Sequence, residues 1–192
     1  MITKLPKRVP HRAIMLEEFK KGGLVVEVGV LLAGYSHFMW KHLQPDRMIL
    51  IDIWEDYPAP QGEDWSGEYQ YAQAQKFAEG KNVELWKGWS TDLIPKLPDK
   101  GVRVAYIDAS HDYDNVLADL EAMLPKMESG GWLAGHDYCP LAMYGVVRAT
   151  AVFCDRHNLT VDVLTRKDPC SLKRMPPKIK EVNLFSFAIQ IP

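Results

Sequence analysis

Short apolar runs alternate along the chain with longer stretches in which apolar residues recur at helical spacing. Seven apolar, largely β-branched runs predict strands at residues 24–28, 48–51, 83–86, 102–107, 132–134, 161–164 and 184–189. Strands that alternate with helices favour a parallel sheet that is covered on both faces. The pattern therefore predicts a single Rossmann-like α/β domain, with a doubly wound sheet of seven strands and helices on both faces.

The helical stretches between these strands predict where the helices begin and end. The clearest covers residues 115–127, and Gly130 and Gly131 are expected to stop it. Ser36 is the expected N-cap of the first helix. One side of that first helix is predicted to hold Phe38, Met39, His42 and Leu43. A later helix at 145–156 is predicted to bury Val147, Ala151 and Phe153.

Prolines decide how the last two strands pair. The connection between them, residues 166–180, contains Pro169, Pro176 and Pro177, which exclude a regular helix. Strands joined without a crossover helix pair antiparallel. We therefore expect the last strand to be antiparallel, at one edge of the sheet.

A long loop interrupts the alternation of strands and helices at residues 55–67. It leads into a predicted helix at 68–79, and long loops in compact domains tend to be functional, so 55–75 is a candidate lid. Its aromatic side chains stand among five acids, an arrangement that suits a sugar or another polyhydroxylated ring. The alternative is an acidic, solvated loop whose aromatic side chains pack on the domain.

Composition narrows the classes of function. The 192 residues fit one domain over 1–192, and the net charge of −2 gives no general attraction to nucleic acid or acidic membranes. No apolar run is long enough to cross a bilayer. Three cysteines without metal-site spacing indicate free thiols in a reducing compartment, so we expect a cytoplasmic protein.

Acids, histidines and glycines follow the predicted strands at the points where the strands end. Ligands of open α/β sheets bind beyond the carboxyl ends of the strands. The residues of interest there are Glu27, Gly29, Asp52, Ile53, Trp89, Ser90, Asp108, His111, His136 and Asp137. Four of them are predicted to meet along one rim and form a shared cleft: Gly29, Asp52, Asp108 and Asp137.

The turn after the first strand differs from a dinucleotide-binding turn. Gly29 is present, but Leu31 occupies the second glycine position of the G-x-G-x-x-G pattern. Asp52 follows at about the distance expected for an acid that binds ribose hydroxyls. Ribose recognition without a pyrophosphate site indicates a nucleoside such as S-adenosylmethionine. A nucleotide-binding oxidoreductase is the alternative.

A second candidate site lies at Asp108 and the pair His136–Asp137. Carboxylates at the ends of two neighbouring strands can converge on one hard cation. His111, three residues beyond Asp108, is placed to act as a general base on a bound hydroxyl. The alternative is that His111 and His136 only cap or hydrogen-bond the turns.

Three stretches of sequence carry a family resemblance. They are Tyr-Ile-Asp-Ala-Ser-His-Asp-Tyr at 106–113, Ala-Asp-Leu at 118–120 and Gly-Gly-Trp-Leu-Ala-Gly-His-Asp-Tyr at 130–138. They resemble class I S-adenosylmethionine-dependent methyltransferases, and most closely the small macrocin O-methyltransferase and cephalosporin hydroxylase-like group. Residues 27–36 resemble the first motif of that class, and 145–148 resemble the start of its following helix.

The resemblance implies a seven-stranded sheet with an antiparallel last strand, and it implies a cofactor site. The residues implied to line the cofactor are Glu27, Gly29, Ser36, Asp52, Ile53, Trp89, Ser90 and Asp108. The first three would lie at the methionine end and Asp52 would hold the ribose. The next three would surround the adenine.

The resemblance also implies catalytic and metal-binding roles. Metal-dependent members bind magnesium through residues that match Asp108, His136 and Asp137, and His136 here stands in place of an acid. Imidazole is a poor magnesium ligand, so the metal requirement is left open. A histidine that matches His111 serves as the base, beside Asp108.

The sequence thus predicts an S-adenosylmethionine-dependent methyltransferase that methylates a hydroxyl of a small metabolite or sugar. The expected partner is a small-molecule acceptor, with neither nucleic acid nor a membrane involved. A homo-oligomer and a monomer are both left open. The alternatives are the oxidoreductase and a catalytically inactive Rossmann-like binding domain, and the latter would be favoured if Trp54 and Trp89 plugged the pocket or if His111 were buried against the core.

Overall fold

The sheet has eight strands, one more than the sequence pattern predicts. The computed structural model describes residues 5–58, 64–139, 145–166 and 185–192. The strands are β1 (Lys7–Val9), β2 (Leu24–Val28), β3 (Arg47–Asp52), β4 (Val83–Lys87), β5 (Val102–Ile107), β6 (Met127–Gly135), β7 (Val163–Thr165) and β8 (Phe187–Gln190). Their spatial order is β1-β7-β8-β6-β5-β2-β3-β4. The additional strand is β1, a three-residue element in which only Val9 is buried, so it has no apolar run to mark it.

Helices connect the strands on both faces of the sheet. They are α1 (Arg12–Met15), α2 (Gly34–Leu43), α3 (Gly67–Ala78), α4 (Ser90–Leu93), α5 (Tyr113–Met123) and α6 (Val146–His157). Short 3-10 turns follow α1, α4 and α5. The predicted doubly wound architecture is confirmed.

All neighbouring strands are parallel except where β8 takes part. β8 pairs antiparallel with both β6 and β7, which confirms the predicted antiparallel last strand. It lies inside the sheet rather than at its edge, because β1 adds to the far side of β7 in parallel. Most of the predicted connection at 166–180, from residue 167 onward, lies outside the described residues.

The prediction that Gly130 and Gly131 stop the helix at residues 115–127, which corresponds to α5, is wrong. α5 ends at Met123, a 3-10 turn follows, and β6 already begins at Met127, so both glycines lie inside that strand. A Cβ on Gly131 would lie 2.9 Å from the main-chain oxygen of Arg103 on β5. The glycines therefore serve a close approach of two strands, at a register irregularity between β5 and β6.

Two predicted helix faces also need correction. Ser36 does not cap α2, because the helix already begins at Gly34; its hydroxyl donates instead to the Glu27 carboxylate. Phe38 is exposed, and the side chains that α2 buries are Tyr35, Ser36, Met39 and Leu43. In α6, Phe153 is fully buried, as predicted, whereas Ala151 is exposed, contrary to the prediction. The buried side chains of this helix are Val146, Ala149, Thr150, Phe153 and Cys154.

The core lies on both faces of the sheet. All five residues of β2 are buried, as expected for a central parallel strand. Val26 and Val28 face α5 and α6, in one cluster with Leu120 and Phe153. Val25 faces the opposite layer, which includes Met39 of α2 and Phe77 of α3. Among the described residues, no helix combines the length and apolar character that crossing a membrane requires.

Candidate active site

The four rim residues that the sequence singled out come together. Gly29 follows β2 with φ +87°, and a Cβ there would overlap the main-chain carbonyl of Asp108 at the end of β5. The Asp52 carboxylate, at the end of β3, accepts hydrogen bonds from the amides of Val30 at 2.6 Å and Leu31 at 2.9 Å. Ligand atoms of Asp108 and Asp137 lie within 4.8 Å of each other. The structure therefore brings the predicted cleft residues to one rim.

The turn after β2 has a glycine-like backbone without the glycines of a dinucleotide site. Leu31 and Ala33 both adopt left-handed conformations, with φ 51° and 55°. Such a conformation costs a residue with a Cβ about 1–2 kcal/mol. The Asp52 carboxylate stabilises this shape by bonding two consecutive amides, and it also accepts from the amide of Trp54 at 2.8 Å. Asp52 is thus a structural part of the turn as well as a candidate ligand of ribose.

A buried carboxyl group lies directly beneath that turn. The Glu27 side chain is 1% exposed and accepts a hydrogen bond from Ser36. Burial raises the pKa of Glu27 to about 8, although the bond from Ser36 opposes the shift. The predicted methionine end of the cofactor site therefore has a carboxyl group that is largely protonated at neutral pH.

An acid–histidine cluster lies beside the turn, where β5 and β6 end. His111 Nε2 lies 2.8 Å from Asp137 Oδ2, and His136 Nδ1 lies 3.1 Å from the same oxygen. His136 Nδ1 also lies 3.7 Å from Asp108 Oδ1. The predicted metal residues His136 and Asp137 thus touch each other, and His111 joins Asp108 and Asp137 in a group that could hold a cation.

Burial and charge set the protonation of this cluster. Burial raises the pKa of Asp108 to about 6, with the neighbouring His136 opposing the rise. Burial alone would also raise the pKa of Asp137, but the hydrogen bonds from His111 and His136 outweigh it and hold the pKa well below the usual range. Burial would lower the pKa of His111, and the bond to Asp137 reverses this and raises it. Asp137 is therefore the ionised partner that orients both rings.

The predicted adenine side is formed by the residues after β3 and β4. Ile53 is partly buried, and Trp89 lies at the N-terminus of α4 with 61% of its surface exposed. Trp54 is buried and packs edge-to-face on Tyr71 at 4.9 Å between centroids. The His111 side chain is 35% exposed, so it is not buried against the core.

Ser90, the third predicted adenine residue, lies next to a buried carboxyl group of α5. Its side chain acts on the carboxyl group of Asp119 on α5, whose pKa it lowers against the effect of burial. Asp119 is 2% exposed and its Oδ1 has no hydrogen-bond partner among the described residues. Burial raises the pKa of Asp119 to about 6. Asp119 lies in the Ala-Asp-Leu stretch at 118–120 that resembles the methyltransferases, but the sequence does not reveal that it acts together with Ser90.

This raised pKa predicts a pH-dependent cost of folding. The unfolded carboxyl has a pKa near 3.9, so the folded protein is penalised progressively as pH rises above that value, and fully above about 6. We expect the free energy of unfolding of the Asp119→Asn variant, relative to wild type, to rise by about 1 kcal/mol between pH 5 and pH 8. Urea unfolding at both pH values measures this. A difference that does not change with pH would contradict the assignment.

Arg12 is a site residue that the sequence analysis missed. Its guanidinium lies 4.2 Å above the centre of the Tyr35 ring, and its Nη1 lies 3.6 Å from Asp108 Oδ2. The residue reaches the rim because β1 ends at Val9 and α1 begins at Arg12. No local motif marks it, since only the pairing of β1 with β7 brings the N-terminal segment to this place.

The candidate lid lies partly outside the described residues, which omit 59–63. The flanking parts are joined: Tyr57 stacks on Trp65 at 6.0 Å, and the amide of Gly67 donates to Asp56. Tyr57 is 58% exposed and Tyr69 on α3 is 41% exposed. Aromatic surface is therefore available near this segment, and the lid function stays a prediction.

The sheet order, the turn built on Gly29 and the acids at the strand ends define the class of S-adenosylmethionine-dependent methyltransferases. A family model described as a methyltransferase domain matches residues 26–138, and the chain belongs to this family. No match is found among curated protein sequences. The family assignment supports the methyltransferase prediction and not the oxidoreductase alternative.

Solved structures of methyltransferases share the fold. An rRNA methylase from Streptococcus thermophilus is 16% identical with a TM-score of 0.62, over 94% of this chain and 93% of that chain. Precorrin-6y C5,15-methyltransferase from Geobacter metallireducens is 13% identical with a TM-score of 0.61, over 93% and 85%. Geranyl diphosphate C-methyltransferase from Streptomyces coelicolor, in complex with Mg²⁺, a substrate analogue and S-adenosylhomocysteine, is 10% identical with a TM-score of 0.64, over 94% and 75%.

The rim residues fit S-adenosylmethionine and fit magnesium poorly. Glu27 and Asp108 offer carboxyl groups to the ammonium of the ligand, and Gly29 lets the main chain after β2 pass close to that after β5. The residues that could hold a metal are Asp108, His111 and Asp137. They suit magnesium poorly, because His111 offers a nitrogen ligand and Asp137 already pairs with two histidines. Magnesium prefers oxygen ligands.

Proposed function

We propose that this methyltransferase transfers the methyl group to a hydroxyl of a small metabolite, a sugar included, with His111 as general base. The observation that carries the proposal is the His111–Asp137 pair, 2.8 Å apart, beside Asp108 and the Gly29 turn. A hydroxyl acceptor needs a base, whereas an uncharged amine is already nucleophilic. The resemblance of residues 106–113 supports placing the protein in the macrocin O-methyltransferase-like group, as one domain over residues 1–192.

The cofactor site is proposed along the rim, from the ends of β2 and β5 to the end of β4. When bound, S-adenosylmethionine supplies an electrophilic methyl group on sulfur. Glu27, Gly29 and Ser36 would line its methionine end, with Asp108 beside them. Asp52 would accept from a ribose hydroxyl through Oδ1, which accepts one hydrogen bond, from the amide of Trp54, and has a second lone pair. Ile53, Trp89 and Ser90 would enclose the adenine, and the exposed Trp89 ring offers a face for stacking.

The proton-accepting step is assigned to the imidazole of His111. Its Nε2 faces Asp137, so in the neutral form of the ring Nε2 would carry the proton that the carboxylate accepts and Nδ1 the lone pair. Nδ1 would take the proton of the acceptor hydroxyl as the new oxygen–carbon bond forms and the sulfur–methyl bond breaks, with S-adenosylhomocysteine as the leaving group. Asp137, which His136 also contacts, would hold the ring in this orientation and stabilise the imidazolium. No step in this scheme uses magnesium.

A small acceptor agrees better with the charge of the rim than a nucleic acid does. The rim carries the carboxyl groups of Asp52, Asp108 and Asp137, and phosphate backbones need basic contacts. Some structures with this fold are rRNA methylases, so ribosomal RNA belongs in the acceptor test as the contrasting substrate.

Calorimetry is the first test of the cofactor site. We expect wild-type protein to bind S-adenosylmethionine and S-adenosylhomocysteine in the micromolar range, and to show no heat with NAD. Asp52→Asn should weaken S-adenosylhomocysteine by about tenfold, the scale of one hydrogen bond to a charged group. Binding of NAD alone would contradict the proposed site.

Transfer of labelled methyl from S-adenosylmethionine tests the reaction itself. The panel pairs hydroxylated sugars, cyclitols and phenols with their O-methylated forms, and adds primary amines and ribosomal RNA. We expect product only from acceptors with an open hydroxyl, with the label on oxygen by NMR. Label on nitrogen, on carbon or on RNA, with none on oxygen, would refute O-methylation of a small molecule.

A further inference from the structure

The guanidinium of Arg12 occupies a nearly enclosed position at the predicted methionine end of the cofactor site. Its side chain is 16% exposed, with the Tyr35 ring at 4.2 Å on one side. The Tyr35 hydroxyl also bonds the Arg12 carbonyl at 3.4 Å, so the first turn of α2 fixes both ends of this residue. An arginine held in this way has lost most of its freedom before any ligand binds.

The charges around Arg12 are acidic. Asp108 Oδ2 lies 3.6 Å from Nη1, a distance longer than a charge-assisted hydrogen bond. The positive charge of Arg12 also acts on Glu27, whose pKa it lowers against the effect of burial. The Tyr106 hydroxyl lies 3.0 Å from Ser186 Oγ, and the charge of Arg12 lowers the pKa of this hydroxyl against the effect of burial. Arg12 thus brings one cation into a group of buried acids.

We propose that Arg12 binds the carboxylate of the methionine moiety of S-adenosylmethionine; this rests on the cofactor position proposed above. That moiety carries an ammonium and a carboxylate. Asp108 suits the ammonium and would repel the carboxylate, which needs a cation at the same place; the Glu27 carboxyl can accept a hydrogen bond from the ammonium. Arg12 is the cation that the fold brings there, and its planar guanidinium can bond both carboxylate oxygens.

Ligands that differ only in the carboxylate test this assignment on the full chain. S-adenosylhomocysteine carries it, and 5′-(3-aminopropylthio)-5′-deoxyadenosine keeps the ammonium but lacks the carboxylate. By calorimetry we expect wild type to bind the second ligand about 30-fold more weakly, the scale of a charge-assisted pair. The Arg12→Gln variant should bind S-adenosylhomocysteine about 30-fold more weakly than wild type and bind the two ligands within threefold of each other.

Two further variants separate a ligand contact from a packing effect. Arg12→Lys keeps the charge and should recover part of the preference for the carboxylate. Arg8→Gln, at an exposed position on β1, should behave as wild type. Equal affinity of wild type for the two ligands would overturn the proposal, even if Arg12→Gln failed to fold. A loss of affinity for both ligands by the same factor in Arg12→Gln would also overturn it, because Arg12 would then act through packing.

The same measurements distinguish a failure of the Arg12 assignment from a failure of the proposed function. If wild type bound neither ligand, the cofactor site itself would be misplaced, and the Arg12 assignment would fall with it. If wild type bound both alike, only the Arg12 assignment would fall, and the methyl-transfer assay would be unaffected.

Discussion

His111→Ala is expected to bind S-adenosylhomocysteine nearly as tightly as wild type, while its turnover falls at least about a hundredfold. The loss is the usual scale for removal of a general base. The affinity is expected to hold because the close partner of the His111 ring is Asp137, which is not among the predicted cofactor residues. Turnover is measured with the best acceptor of the methyl-transfer panel, and affinity by calorimetry.

His157→Ala is the matched control. His157 also pairs with a carboxylate, Glu121 at 2.6 Å, but at an exposed position at the end of α6. Its removal should leave turnover within about twofold of wild type, as expected for a surface pair. Wild-type turnover in His111→Ala would remove His111 from the mechanism. A matching loss in His157→Ala would point to a general effect on folding.

Gly29→Ala is expected to lower the free energy of unfolding by about 3 kcal/mol or more and to abolish measurable cofactor binding. With φ at +87° an alanine is strained by about 1–2 kcal/mol, and its Cβ would also overlap the main-chain carbonyl of Asp108. That carbonyl belongs to the end of a central strand and cannot move without disturbing β5. Urea unfolding and calorimetry measure the two effects.

Gly34→Ala serves as the control for stability. Gly34 begins α2, and a Cβ there would meet nothing within 4 Å. Its stability should therefore stay within about 0.5 kcal/mol of wild type, since alanine has the better helix propensity. If Gly29→Ala were as stable as Gly34→Ala, the close contact between the two strand ends would not exist in solution.

The sheet and its rim were largely predictable because strand ends leave local signals. The runs at 24–28 and 102–107 match β2 and β5 residue for residue. The rim followed from chain direction alone, since parallel strands end on the same side. Gly29 and Asp108 could thus be placed together without knowledge of their contact.

What escaped prediction depends on contacts between distant parts of the chain. β1 has three residues and one buried side chain, and only its pairing with β7 makes it a strand. Arg12 was missed for the same reason. The glycines of β6 resembled a helix stop because a glycine pair carries the same local signal in both settings. The local sequence predicts a cap at Ser36 because the hydrogen bond from Ser36 to Glu27 exists only in the folded turn.

The contact between Gly29 and Asp108 has a consequence for how acceptor preference could diverge. The turn at Gly29 belongs to the proposed methyl-donor site, and Asp108 lies beside the proposed base. Main-chain atoms of these two residues, not side chains, set the distance between the two parts of the site. Substitutions in the surrounding loops would leave that separation unaltered. Related proteins could therefore exchange acceptors through residues 55–75 while retaining the same reaction geometry.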